Sequence, residues 1–196
     1  MHRRNLLAFP AAALAAVPAA AAAGAWSNPF AKAWYDSFVE HWRDTREYSL
    51  AMLDAMPAEH FNSKPDPAQR TFGDQMRHLA MANVIYFRAL GLVPVPDSLP
   101  MDRNKLAEAV PETDKAKVRA FVAGCFDYVH AVLGKMTEKD LQRTDLKLFA
   151  KAAPHSTIDV CLRAYMHTAH HRGQAVCYLR VKGITPPAWQ FEPHAG

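Results

Sequence analysis

Cysteine is scarce in this chain: three residues in 196, at positions 125, 161 and 177, none of them in Cys-x-x-Cys spacing. That excludes a disulfide-stapled scaffold. Glycine is scarce too. Eight residues without a Gly-X-Y period exclude a collagen-like or Gly/Ser-linker protein. No alternating polar-apolar run reads as a strand, and no Asn-Gly turn marks a hairpin. Lys and Arg are scattered, with no aromatic-interleaved basic strip. The net charge is only +4 with histidine neutral, so no nucleic-acid partner is expected. Glu-x-x-His does not occur, which argues against a di-iron carboxylate centre. What is present is an ordinary globular balance, 50% apolar and 21% charged, in a chain long enough for one domain with a real core.

The first 25 residues read as an address rather than as fold. His2, Arg3 and Arg4 form a positive start, followed by Leu6-Leu7-Ala8-Phe9 and an alanine-rich run, with no acidic residue before Asp36. Ala21-Ala22-Ala23 and Ala23-Gly24-Ala25 both offer small-x-small cleavage sites. This is the anatomy of a cleavable export signal, and Arg3-Arg4-Asn5-Leu6-Leu7 resembles the twin-arginine type. Pro10, Pro18 and the weak hydrophobicity of alanine argue against a retained membrane span. The expectation is a signal segment at 1–25, a single domain at 26–196, and a periplasmic or cell-envelope location.

Four long stretches have helical period. In Phe30–Met56, Trp34, Phe38, Trp42, Thr45, Ser49, Met52 and Met56 share a face, and Pro57 ends the run. In Thr71–Leu90, Thr71-x-x-Asp74 is a variant capping box. Phe72, Met76, Leu79, Ala80, Asn83, Phe87 and Leu90 form the apolar arc, and Gly91 stops it. Thr113–Met136 carries a 3-4 seam of Val118, Phe121, Val122, Cys125, Phe126, Val129, Val132, Leu133 and Met136. Ser156–Lys182 closes at Gly183 and Pro186-Pro187. The expected fold is all-α, a four-helix bundle with long crossover loops containing Pro65, Pro67, Pro94, Pro96, Pro100 and Pro154.

The fourth helix is apolar on two sides. Leu162, Met166, Ala169, Gly173 and Val176 make one stripe; Val160, Ala164, His167, His171 and Tyr178 make another. Both need cover, from the core on one side and from a loop, the tail (Trp189, Phe191) or a second subunit on the other, so a homodimer is expected. Cys161 and Cys177, 16 residues apart on this helix, lie roughly 24 Å from each other and cannot bridge. Free, buried cysteines are expected.

His167 and His171 stand one helical turn apart on one face, a spacing at which two imidazoles bind one divalent ion. The segment His167-Thr168-Ala169-His170-His171 lacks the glutamate of His-Glu-x-x-His, so a metalloprotease of that type is disfavoured. Each histidine also has a plainer reading, as a hydrogen-bonded core or rim residue. A third ligand is required. Periodicity slightly prefers His41, at the centre of the first helix's stripe, over His78, at the edge of the second helix's arc; His130 ranks lower. His60 and His155 fall in loops, His194 in the tail, and His170 points about 100° away from its neighbour.

Thr71-Phe72-Gly73-Asp74-Gln75-Met76-Arg77-His78-Leu79-Ala80 resembles the second-helix signature of the DinB/YfiT-like superfamily. His167-Thr168-Ala169-His170-His171-Arg172-Gly173-Gln174, then Tyr178-Leu179-Arg180 and Gly183-x-x-Pro186-Pro187, resembles its fourth-helix signature. Met56-Pro57-Ala58-Glu59-His60-Phe61 is similar to its first-loop pattern. The resemblance implies a four-helix bundle holding a divalent transition metal (Zn, Ni or Fe) through His78, His167 and His171. His41, Asp74, His170 and Tyr178 become pocket or supporting residues. Thr168 stands where many members carry Glu. Arg172-Gly173-Gln174 also has a structural reading, in which Gly173 permits close helix approach and its neighbours tie helix to helix.

Three neutral imidazoles with open coordination positions make a Lewis-acid centre that lowers the pKa of a bound water or thiol. Characterised members of the superfamily are bacillithiol S-transferases and mycothiol-dependent isomerases. The resemblance therefore implies a metal-dependent thiol transferase or hydrolase acting on a small thiol or an electrophilic small molecule. The other expectation is a non-enzymatic metal-binding or stress-response protein of the cell envelope. A polar cavity at the ligands separates the two. Because imidazole must be deprotonated to bind, metal release is expected as pH falls below about 6.

Overall fold

The computed structural model describes residues 26–149 and 153–188. The expected export segment and the tail aromatics Trp189 and Phe191 lie outside the described residues. The described chain is all-helical: α1 (Pro29–Ala55), a 3₁₀ turn (Ala58–His60), α2 (Phe72–Arg88), α3 (Arg103–Ala109), α4 (Lys115–Leu133), α5 (Glu138–Leu141) and α6 (Thr157–Val181). Among the described residues the only β-type pairing is an isolated bridge between Leu146 and His155.

The long helices begin and end where local chemistry dictates. The Asn28 side chain accepts from the amides of Phe30 and Ala31, and Pro29 follows it, so α1 starts with two of its free donors satisfied. Pro57 forces Met56 into extended backbone. Lys115 Nζ then donates to the Asp54 and Met56 carbonyls left free at that end, at 2.8 and 2.7 Å. Thr71 and Ser156 cap α2 and α6 by accepting from the amides three residues on. Gly91 and Gly183 take φ +71°, the left-handed backbone that lets the chain leave α2 and α6.

The apolar stripes of α1, α2 and α4 expected from the sequence are buried, with Trp34 on the first of them only partly so. Helix α2 packs on α4 and α6, and α1 packs on the same two helices. The core between them centres on Trp42, whose ring lies 5.4 Å from Phe87 and 5.5 Å from Phe126. The connections from α1 to α2 and from α4 to α6 therefore join helices that do not flank each other, which is what their length permits. The connection from α2 to α4 contains α3, where the sequence pattern predicts no helix. Seven residues holding one buried residue, Leu106, carry too little period to be seen.

On α6, Val160, Ala164, Thr168, His171 and Tyr178 are buried, whereas Leu162 and Met166 remain 45% and 66% exposed. Only one of the two expected stripes is thus covered by described residues. Cys125 and Cys161 are free and buried, and burial pushes both thiols up, so neither is a nucleophile at neutral pH. Cys177 is free but exposed, contrary to expectation, because it lies on the solvent side of α6.

Close backbone approach occurs at Gly73, not at Gly173. A Cβ on Gly73 would sit 1.8 Å from the Glu112 carbonyl oxygen, while a Cβ on Gly173 would meet nothing within 4 Å. The expectation that Gly173 serves close helix packing is therefore wrong; its helix is solvent-facing there. Gly73→Ala should lower the unfolding free energy by roughly 1–3 kcal/mol through overpacking. Gly173→Ala should raise it by roughly 0.5–1 kcal/mol through reduced backbone entropy. Urea unfolding of the two variants checks both signs.

Candidate metal centre

The site forms where α2 and α6 pack against each other. Two buried polar contacts set the register of this pair. Thr168 Oγ1 donates to Asn83 Oδ1 at 2.9 Å. One turn and more away, the Gln75 amide donates to Gln174 Oε1 and lies 2.8 Å from His171 Nδ1. Thr168 thus faces a helix neighbour. Buried polar groups of this kind cost free energy unless partnered, so a slip of α2 along α6 is penalised.

Register places His78 beside His167 and His171. The ring centroids are 5.2 Å apart for His78–His167, 4.5 Å for His78–His171 and 4.4 Å for His167–His171. Each residue offers one nitrogen such that all three atoms lie within 4.8 Å of one another. Donors that close, on three neutral rings, suit a divalent transition ion. Two further observations fit a cation there. His171 Nδ1 lies 2.8 Å from Gln174 Oε1; with the hydrogen on Nδ1 donated to that oxygen, Nε2 is left as the lone-pair donor. His167 Nδ1 is buried without a hydrogen-bond partner, an arrangement worth about 1–3 kcal/mol of penalty if nothing satisfies the ring.

Electrostatics keep the rings neutral. Burial lowers the pKa of His78 from 6.5 to about 4, with the Arg70 guanidinium and His171 adding to the effect. Burial likewise lowers His167 to about 4, with His171 and His78 contributing. His171 is also lowered, chiefly by burial, against an opposing hydrogen bond to Gln174. Protons therefore compete poorly for these nitrogens, and the release threshold expected near pH 6 moves toward pH 4.

His41 does not join this cluster. Its ring lies 6.3 Å from Tyr165, in an apolar groove with Trp34, Phe38 and Leu162. His170 is exposed, its ring 4.9 Å from that of His171 and its Nε2 3.2 Å from the Gln174 amide nitrogen. Asp74 accepts from Arg77 Nη2 at 2.8 Å and lies 3.4 Å from Arg70 Nε. Tyr178 is buried and donates its hydroxyl proton to the Arg70 carbonyl at 2.7 Å. Arg172 stacks 5.0 Å from the Tyr48 ring, tying α6 to α1, while Gln174 ties it to α2.

Two cavities adjoin the cluster. His78 lines one of about 150 Å³ together with Arg70, Asp74, Arg77 and Arg103. A second, of about 440 Å³, is lined by Arg70, Gln75, Gln174 and Tyr178. Sequence pattern does not single out Gln75, Arg70 or Arg103, and it gives Gln174 as a helix-to-helix tie, which it is, without its contact to His171. The glutamines were within reach: Gln75–His78 and His171–Gln174 are both three apart, hence on a shared helix face. The arginines were not, because they sit before α2 and at the start of α3.

A family profile described as the DinB superfamily matches residues 38–175. Among solved structures, a DinB-like protein from Bacillus cereus ATCC 10987 superposes with a TM-score of 0.59 at 21% identity, over 78% of this chain and 95% of that one. That likeness concerns the fold. No curated protein matches the chain.

In metal-free protein, NMR titration of the imidazole rings should give midpoints near 4 for His78 and His167, and one below 6.5 for His171. The sign for stability follows. Between those values and the unfolded 6.5, the unfolded chain binds protons that the folded chain does not. Metal-free protein should thus lose stability as pH falls through that window, read as a falling thermal midpoint. A midpoint near 6.5 for His78 would mean a solvated ring and an open cluster.

Proposed function

The chain belongs to the DinB superfamily, and from that membership and the three converging imidazoles we propose that it is an exported metal-binding four-helix bundle with a catalytic role. The ion is a divalent transition metal, Zn, Ni or Fe, held by His78, His167 and His171. The reaction is thiol transfer to an electrophilic small molecule, or hydrolysis. The carrying observation is that three histidines from two helices place their nitrogens within 4.8 Å of one another beside a polar cavity.

When bound, such an ion supplies Lewis acidity, which lowers the pKa of a thiol or water. The remaining work falls to the chain. Burial holds the three rings neutral and ready to bind. Gln174 accepts from His171 Nδ1 and is itself held by the Gln75 amide, which donates to the same oxygen. Tyr178, through the Arg70 carbonyl, fixes the chain entering α2 where the two cavities meet. A cavity lined by charged groups at a ligand residue favours the enzymatic reading over a non-enzymatic metal-binding or stress-response role. Export rests on residues 1–25. No described helix is long and apolar enough to cross a membrane. The exposed stripe of Ile158, Leu162 and Met166 supports a homodimer.

Elemental analysis of untagged protein tests the centre. Wild type should carry about one transition ion per chain, and His171→Ala and His78→Ala should lose it while keeping their helical circular dichroism. Wild type should retain the ion at pH 6 and release it as pH approaches 4, where the rings protonate. Equal metal content in wild type and both variants would remove the site.

A further inference from the structure

The smaller cavity at His78 has a charge balance that a metal site alone does not explain. Three guanidinium groups line it, from Arg70, Arg77 and Arg103, against one carboxylate, Asp74. Arg77 is spoken for. Its side chain is buried, donating to the Val110 carbonyl at 2.6 Å, to Asp74 at 2.8 Å and to Glu112 at 3.1 Å. It acts as wall. Arg70 has only a 3.4 Å approach to the same Asp74 that Arg77 already holds. Arg103 forms no ion pair among the described residues.

Arg70 and Arg103 are both exposed, on backbone that is held in place. The Arg70 carbonyl is pinned by Tyr178, and Arg103 opens α3, whose first turn is capped by the Asp102 carboxylate at 3.0 Å from two amides. Leu106 of α3 is buried and lines the same cavity with Met81, giving it one apolar wall. Both guanidiniums line the cavity that His78 lines.

Positive charge beside a ligand of a divalent cation weakens cation binding. A site built only to hold metal has no use for it. An anion seated between the guanidiniums and the ion removes the repulsion and turns it into attraction. We infer that this cavity binds the oxyanion group of a small-molecule substrate, a carboxylate or a phosphate, with Arg70 and Arg103 as its direct ligands. Guanidinium is suited to both groups, offering paired N–H donors to paired oxygens. At about 150 Å³ the cavity holds a head group and not a chain segment. The rest of the substrate has room in the larger cavity, which shares Arg70. The anion subsite stands on the arginines alone; only the placing of the substrate's reactive end at His78 rests on the proposed metal centre.

The test uses the full metal-free chain at low ionic strength. Inorganic phosphate and succinate are titrated separately against the NMR signals of the Arg side chains and the His78 ring. Wild type should bind at least one of them, and the tighter of the two assigns phosphoryl or carboxylate chemistry. Arg103→Gln and Arg70→Gln should each weaken that binding tenfold or more, with unchanged circular dichroism. Lys105→Gln, exposed on the same short helix, should not. His171→Ala should bind the anion as wild type does, because the arginines are untouched. In zinc-loaded wild type, mercaptoacetate should bind at least tenfold tighter than 2-mercaptoethanol. That preference should vanish in the arginine variants while 2-mercaptoethanol affinity stays. Absence of anion binding in wild type, or arginine variants that bind equally well, overturns the inference even if the ion is retained. Anion binding by the metal-free chain, together with wild type that takes up no transition ion in the elemental analysis, overturns the metal centre and leaves this subsite standing.

Discussion

The pairing of α2 with α6 is the constraint on which the site depends. Each imidazole is placed by a backbone that has no reason of its own to bring them together: His78 comes from one helix, His167 and His171 from another 89 residues on. What aligns them is a register fixed by buried polar partners. Thr168 with Asn83 and the Gln75–Gln174–His171 cluster lie between the helices. A slide of one residue moves each contact by about 1.5 Å and rotates it by about 100°, enough to break all of them. Apolar packing alone would tolerate small slips, since it is non-directional. The hydrogen-bonded pairs do not, and so they convert a general helix contact into a site with set distances.

That same interface prepares the electrostatics. Burial of the three rings, full for His171 and partial for His78 and His167, with guanidiniums nearby, makes protonation unfavourable for every member of the cluster. A set of neutral imidazoles within reach of one another repels nothing and presents lone pairs, at the expense of unsatisfied nitrogens such as His167 Nδ1. A buried nitrogen without a hydrogen-bond partner is what the proposed cation site accounts for and three core histidines packed for volume do not. Core histidines are expected to find carbonyl or hydroxyl partners.

How far this was legible in the sequence depended on what kind of signal each feature leaves. The four long helices were readable to within two or three residues at each end, because period, caps and stop residues agreed there, as at Thr71, Gly91, Ser156 and Gly183. His167 and His171 were readable as a pair because both lie on one helix, where spacing is geometry. The third ligand was not readable from pattern, which leaned toward His41. Periodicity reports which residues face inward on their own helix; it carries nothing about which helix faces which. His41 faces a groove between α1 and α6, and only likeness to other chains singled out His78. Gly173 illustrates the same blindness. Glycine between two polar residues on a helix suggests close approach, but the close approach is at Gly73, against the α3–α4 connection. The second apolar stripe of α6 was read correctly as apolar, yet its exposure depends on neighbours that no single-helix pattern contains.

The arrangement around His78 also bears on the kind of site that the proposed metal centre would be. A storage or structural site gains from negative charge near its ligands, since carboxylates strengthen cation binding and close the coordination sphere. Here the nearest carboxylate, Asp74, is turned to Arg77, and the groups left over are cationic. Positive charge in that position works against holding the ion and in favour of holding an anion against it. On the proposed reading, the balance suits a transient ligand that arrives with its own negative charge. Weak ground-state satisfaction of Arg70 and Arg103 is then the counterpart of the unsatisfied nitrogen on His167. On the proposed reading, a small molecule and an ion would partner both together.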